Sequence, residues 1–256
     1  MNHNNDKNHT NHENHSQNHE HTENVLEVKD LSVQFGNEEP VLKDISFSVR
    51  KGDVLAIIGP NGAGKTVLFT ALMGLISYDG DISWLKNVNL GYVPQKLPEN
   101  IHLPLTVKEF FVLKSKKFLL KDNPLLQSVV HELKSVGLGE EILSRKLVNL
   151  SRGQLQRVLI AWAILGHPNV LLFDEPTAGI DIAGEDTVYN LLHKLQDERG
   201  LTILLISHDL HVVYRYANSV LCLNRTQLCF GEPRKTLTNE QIAKLYGESA
   251  FYHHDH

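Results

Sequence analysis

One stretch of this chain constrains its fold more than any other. It is Gly59-Pro60-Asn61-Gly62-Ala63-Gly64-Lys65-Thr66, set between an apolar run at 54–58 and a helical pattern at 67–73. Spacing of the form G-x-x-x-x-G-K-[ST] lets backbone N–H groups wrap a phosphate, and the helix that starts there adds positive potential. Lys65 would bring charge to the β- and γ-phosphates of a nucleotide, and Thr66 a hydroxyl to its Mg²⁺. Such a loop needs a strand before it and a helix after it, so the surrounding chain must build an α/β unit.

The remaining pattern agrees. Short apolar runs at 54–58, 170–173, 203–206 and 220–223 are bounded by turn residues and read as buried strands of a mostly parallel sheet. Between them, Leu155, Val158, Leu159 and Trp162, and again Val188, Leu191, Leu192 and Leu195, recur at helical spacing. Segments 25–35 and 41–49 alternate around a Gly36-Asn37 turn and read as antiparallel strands. From about 96 to 150 the strand signal disappears. There Thr106 and Glu109 have capping-box spacing ahead of Phe110 and Phe111. A second helix opens at Asn123-Pro124, carries Leu126, Val129, Val130 and Leu133 on one face, and closes at Gly137.

Composition narrows the function. The 256 residues suit one domain, or one domain with a lobe. A formal charge of -5 argues against a nucleic-acid binder driven by net positive charge. The longest apolar run, 158–165, is far short of the ~18 residues that cross a bilayer. The N-terminus lacks the basic and apolar regions of a signal peptide, so the expectation is a protein that reaches a membrane only through a partner. Residues 1–24 have no aliphatic or aromatic residue after Met1 and are expected to be disordered, with a short tail after 247. Cys222 and Cys229 make no metal or redox spacing and are expected as buried, reduced thiols.

Two further motifs carry chemistry. The run at 170–173 continues into Asp174-Glu175-Pro176. Asp174 thus sits at a strand's carboxyl end, where ligands of open α/β sheets bind, and would anchor Mg²⁺. Glu175 beside it is placed to polarise an attacking water. Leu150-Ser151-Arg152-Gly153-Gln154 opens a helix with capping-box spacing between Ser151 and Gln154, and a helix start with a hydroxyl and a glycine is a second anion site. Two phosphate-binding helix starts in one chain suggest that the second serves another molecule's nucleotide.

Taken together and in this order, the motifs resemble the ATP-binding subunits of ABC transporters, over about residues 25–247. The resemblance implies an α/β fold: a P-loop NTPase (RecA-like) core with an N-terminal antiparallel β subdomain and an inserted α-helical subdomain at about 96–150. It implies ATP and Mg²⁺ as ligands, and a dimer of two copies in which Ser151, Gly153 and Gln154 cap the γ-phosphate of ATP held on the facing subunit. Gln95 resembles the glutamine that touches Mg²⁺ or its water and senses the membrane partner. His208 resembles the switch histidine at the γ-phosphate, Asp181 the aspartate that crosses the dimer interface, and Phe35 the ring that stacks on adenine. The catalytic set so implied is Lys65, Gln95, Glu175 and His208.

The stretches 91–97, 103–107, 207–211 and 220–224 resemble one branch of that family, the ATP-binding subunits of bacterial zinc importers, with manganese and iron importers close by. A soluble, non-transport ATPase such as an iron–sulfur assembly scaffold would share the same nucleotide motifs. The importer likeness implies a peripheral position on the cytoplasmic face of the cell membrane. It also implies an integral permease and, indirectly, an extracytoplasmic metal-binding protein as partners. Independently, His3, His9, His12, His15, His19 and His21, with three more histidines at the C-terminus, could bind zinc weakly on a flexible chain.

Overall fold

The computed structural model describes residues 23–95, 105–114, 124–175 and 182–247. Its elements begin with β1 (Asn24–Val33), β2 (Leu42–Arg50), β3 (Val54–Ile58), α1 (Lys65–Leu72), β4 (Asp79–Trp84) and β5 (Leu90–Val93). Then come α2 (Val107–Val112), α3 (Pro124–Ser135) and α4 (Arg152–Ile164). β6 (Val170–Asp174), α5 (Ile182–Arg199), β7 (Thr202–Ile206), α6 (Leu210–Tyr216) and β8 (Ser219–Asn224) follow. The last are β9 (Thr226–Gly231), α7 (Pro233–Thr236) and α8 (Asn239–Tyr246). Among the described residues no helix is long and apolar enough to cross a membrane.

The strands lie in the order β4-β1-β2-β9-β8-β3-β7-β6-β5. β1 pairs antiparallel with β2 and β4, as the alternating sequence predicts. β3 runs parallel to β7 and β8, and β6 parallel to β5 and β7. All five residues of β3, β6 and β7 are buried, which is why these strands read as uninterrupted apolar runs. Alternate residues serve opposite faces. Leu171, Phe173, Ile203 and Leu205 pack with α4 and α5 on one face, while Leu55, Ile57, Leu172 and Leu204 pack with Leu68 and Phe69 of α1 on the other. Register then aligns the strand ends, pairing Ile57 and Asp174 with Ile206 from its two sides. The turns after β3, β6 and β7 therefore open side by side, at the edge where an open α/β sheet binds ligands.

The first helix of this segment forms as its cap predicts, while Asn123, expected to open the second, lies outside the described residues. Thr106 closes a complete capping box with Glu109 at the start of α2, burying Val107 and Phe111. Val129 and Leu133 of α3 are fully buried against α4. An ion pair ties this segment to the core. Arg199 of α5 donates from Nη1 and Nη2 to the two oxygens of the buried Glu132 carboxylate, at 3.2 and 2.6 Å. The fork-to-fork geometry satisfies the Glu132 charge where water cannot.

The cysteine expectation is corrected. Cys222 on β8 and Cys229 on β9 face each other directly in the antiparallel register, with Cα atoms 4.8 Å apart, and form a disulfide. That separation lies inside the range a disulfide spans, and the hairpin brings it about. Sequence spacing alone does not reveal such a register. Strands β4, β5 and β9 also go beyond the sequence reading. Asp181 and the histidines of both tails lie outside the described residues.

Candidate active site

The loop after β3 is shaped by close approach. A Cβ on Gly59 would collide with the Leu223 carbonyl oxygen of β8, so only glycine lets the chain turn there. Gly64, at φ 93°, is the N-cap of α1 and offers no side chain to its first turn, which also lacks acidic residues. The leading amides of α1 are thus left to an incoming anion. Lys65 is only 7% exposed, and its ammonium donates to the carbonyls of Gly59 (2.8 Å) and Pro60 (3.1 Å). Burial lowers the Lys65 pKa, and the carboxylates of Glu175 and Asp174 push it back up.

Opposite stands the end of β6. Thr66 Oγ1 donates to Asp174 Oδ2 at 3.0 Å, and the Tyr92 hydroxyl reaches the same oxygen at 3.4 Å. Asp174 is 3% exposed. Burial raises its pKa, the Thr66 hydrogen bond opposes the rise, and the neighbouring charge of Glu175 adds to it. Tyr92 is pushed up to about 12, first by burial and then by the Asp174 charge. A buried carboxylate held at such cost beside a hydroxyl fits Mg²⁺, which takes hard oxygen ligands and keeps several of its waters. Thr66 and Asp174 would hold that ion.

Glu175 adopts a left-handed backbone, φ 45°, which is uncommon for residues other than glycine. Its amide donates to the Ile206 carbonyl at 3.1 Å, fixing the turn against β7. Its carboxylate accepts from the Gln95 amide and lies 3.8 Å from the Lys65 ammonium. Asn61, Gly62, Ala63, Lys65, Thr66, Gln95 and Glu175 line a cleft of about 300 Å³. An adjoining cleft shares Gly62 and is lined otherwise by Glu38, Glu39, Pro40, Val41 and Arg225.

The structure thus brings together residues 59–66, Gln95, Asp174 and Glu175, which the sequence places far apart. Others stay outside the cleft. His208 is exposed just past β7 and makes no hydrogen bond or ion pair with another described residue. Ser151, Gly153 and Gln154 sit at the start of α4 and line neither cleft. Phe35 is 46% exposed, which excludes a core-packing role, and it lines neither cleft. Tyr92 is the residue that motif reading passes over. It lies inside the 91–95 stretch, but its contact with Asp174 depends on the pairing of β5 with β6.

Comparison with known proteins bears on the family. A family model described as ABC transporter matches residues 42–178. The zinc import ATP-binding protein ZnuC of Wigglesworthia glossinidia brevipalpis is 36% identical over 239 residues, covering 91% of this chain and 99% of its own. The protein of the same name from Pseudomonas fluorescens (strain Pf0-1) is 37% identical over 237 residues, covering 91% of this chain and 87% of its own. Among solved structures, cbiO1 from Clostridium perfringens, part of the ABC transporter complex cbiONQ, is similar with a TM-score of 0.73 and 28% identity. That similarity covers 86% of this chain and 93% of the other. The ADP conformation of MJ1267, an ATP-binding cassette of an ABC transporter, gives a TM-score of 0.75 at 25% identity, over 88% of this chain and 99% of its own. On the family match, the identities and the cleft itself, this chain belongs to the ABC transporter family as an ATP-binding subunit.

Proposed function

We propose that this chain hydrolyses ATP to drive zinc uptake through a separate membrane permease, from the cytoplasmic face of the membrane, as a dimer of two copies. The observation that carries the ATPase reading is a cleft lined by Lys65, Thr66, Gln95 and Glu175, in which Thr66 is also hydrogen-bonded to Asp174. The cargo reading rests on relatives named for zinc import that align along 91% of this chain.

Phosphoryl transfer asks for positioning and charge stabilisation, with little covalent chemistry from the protein. Residues 59–64 and the first amides of α1 would wrap the β- and γ-phosphates. Lys65 would leave the carbonyls of Gly59 and Pro60 for phosphate oxygens. Thr66 and Asp174 would hold Mg²⁺, with Gln95 reaching the ion or its water. That ion, when bound, supplies charge neutralisation across the β- and γ-phosphates. Glu175, steadied by Gln95, would orient the attacking water and accept its proton. His208 would reach the γ-phosphate. Ser151, Gly153 and Gln154 would close the cage from the second copy, and Phe35 would cover adenine.

Glu175→Gln tests the chemistry. The variant is expected to bind Mg-ATP and dimerise while hydrolysis drops by at least ~10²-fold; turnover near the wild-type rate would refute the role of Glu175. For the cargo, cells lacking the protein should stop growing first when zinc is withdrawn. Growth limited instead by manganese or iron would reassign the metal.

A further inference from the structure

The two cysteines staple the hairpin that backs the P-loop. β8 and β9 pair across Cys222 and Cys229, Leu223 and Gln227, and Asn224 and Thr226, and the chain reverses at Arg225, whose backbone is left-handed at φ 61°. Between the first two of these pairs the register shifts, which interrupts the ladder of backbone hydrogen bonds. The disulfide lies directly beside that interruption and joins the strands covalently where their ladder is broken.

Beyond the bridge, the hairpin tip supports the phosphate loop. Cys222 pairs with Ile58, the residue before Gly59. The Leu223 carbonyl oxygen fills the space that a side chain on Gly59 would need. The Arg225 amide donates to the Ala63 carbonyl at 3.0 Å, and the Arg225 carbonyl accepts from the Lys43 amide of β2 at 2.8 Å. Both ends of the loop at 59–63 thus rest on a turn whose opening the bridge restrains. The bridge is also within reach of solvent. Cys222 is 1% exposed, but Cys229 is only half-buried, so a small disulfide can meet Cys229 while Cys222 lies beneath it. On the cytoplasmic face of a membrane the glutathione pool holds thiols reduced, and a bridge there forms or opens with the state of that pool.

We infer that Cys222 and Cys229 are a reversible thiol–disulfide switch on nucleotide binding, worked by exchange with a small disulfide of the glutathione type. The bridged hairpin keeps the P-loop in its phosphate-ready form, and reduction loosens it. In the closing direction the Cys229 thiolate attacks one sulfur of the small disulfide, and the other sulfur leaves as a thiolate. Cys222 then gives up its proton and attacks Cys229 Sγ, expelling the second small thiolate. The protein loses two protons and two electrons, and the small disulfide becomes two thiols. The inference rests on residues 59–66 being the phosphate site for ATP.

The full chain has only these two cysteines, so thiol chemistry reports on them alone. After equilibration with oxidised or reduced glutathione, free thiols are titrated and ATP affinity is read with a fluorescent ATP analogue. Oxidised protein should show no free thiol and reduced protein two. Reduction should weaken ATP binding by ~5-fold and lower the Tm by ~5–10 °C. Cys229→Ser should bind ATP as weakly as the reduced wild type in both buffers, and Cys222→Ala should do the same. A bridge with a purely structural role predicts a lower Tm on reduction with ATP affinity unchanged, and that result would overturn the inference. So would two free thiols surviving oxidised glutathione, or an affinity in Cys229→Ser that still follows the buffer. Should neither form of the wild type bind ATP while the thiol count changes as expected, the assignment of the phosphate site fails and the inference falls with it. Normal ATP binding that ignores the thiol count sinks the switch alone.

Discussion

Helices α1 and α4 both begin at residues suited to a phosphate, yet their first turns are built in opposite ways. α1 starts from Gly64, whose left-handed backbone carries no side chain to cap the helix. Its amides stay open, and the neighbouring Lys65 is buried with its charge aimed into the loop. α4 starts from Ser151, which accepts from the Gln154 amide at 3.2 Å while Gln154 Oε1 accepts from the Ser151 amide at 3.1 Å. Arg145 donates to that same Gln154 oxygen at 3.2 Å. One helix start is a receptor awaiting its ligand. The other has its third amide closed by its own serine, and what it offers a phosphate oxygen is the hydroxyl hydrogen of the exposed Ser151 and the amide of Gly153. The difference suits a site in which α1 sets affinity for ATP in each copy and α4 is engaged only by the nucleotide of another.

Lys65→Ala should break this contrast most severely. With the buried ammonium gone, α1 keeps its amides but loses the charge that faces the outer phosphates. ATP binding by a single copy, read with a fluorescent ATP analogue, is expected to weaken by ~10²-fold, and hydrolysis to fall further. Binding at the wild-type affinity would show that the amides alone suffice.

Ser151→Ala sharpens the contrast from the other side. Single-copy ATP affinity should stay as in the wild type, while hydrolysis and ATP-driven dimerisation fall by ~10-fold or more. The lost cap should also cost about 1 kcal/mol of stability, read as a lower Tm. If the variant weakened ATP binding by an isolated copy, the division of labour between the two helices would be wrong.

Both helix starts are legible in the sequence because each is written in adjacent residues: glycines and Lys65 for one, Ser151 and Gln154 for the other. The buried strands are legible for a similar reason, since a strand covered on both faces leaves an unbroken apolar run. β4 and β9 leave no such mark, because most of their residues are partly or fully exposed. β5 is only four residues long and contains Gly91, where a Cβ would run into the Leu171 side chain at 2.8 Å. A glycine required by close packing looks, in sequence, like a loop. The Cys222–Cys229 bridge and the Tyr92–Asp174 contact both depend on which strand meets which, and at what register. No local pattern encodes them. The position of His208, exposed and apart from the cleft, shows the converse: a motif can name a residue without saying where it stands in the free subunit.

The smallest expected effect concerns the cost of keeping α1's side of the site ready. Burial raises the Asp174 pKa above its value in the unfolded chain, about 3.9. The folded protein therefore binds that proton more tightly than the unfolded chain does. Its stabilising contribution is complete below about pH 4 and is lost as pH rises through the folded value. At neutral pH the nucleotide-free protein carries a buried carboxylate at a net cost, despite the hydroxyls of Thr66 and Tyr92. Asp174→Asn keeps the shape and removes the charge, so its nucleotide-free Tm at pH 7 should exceed the wild type's by ~2–4 °C. The gap should narrow on acidification toward pH 4. Mg-ATP should then raise the Tm of the wild type far more than that of the variant, because only the wild type offers the ion a carboxylate. A wild-type Tm above the variant's at neutral pH without nucleotide would mean that the two hydroxyls outweigh burial. The α1 side would then be as self-satisfied as α4, and the contrast between the two helix starts would lose its physical basis.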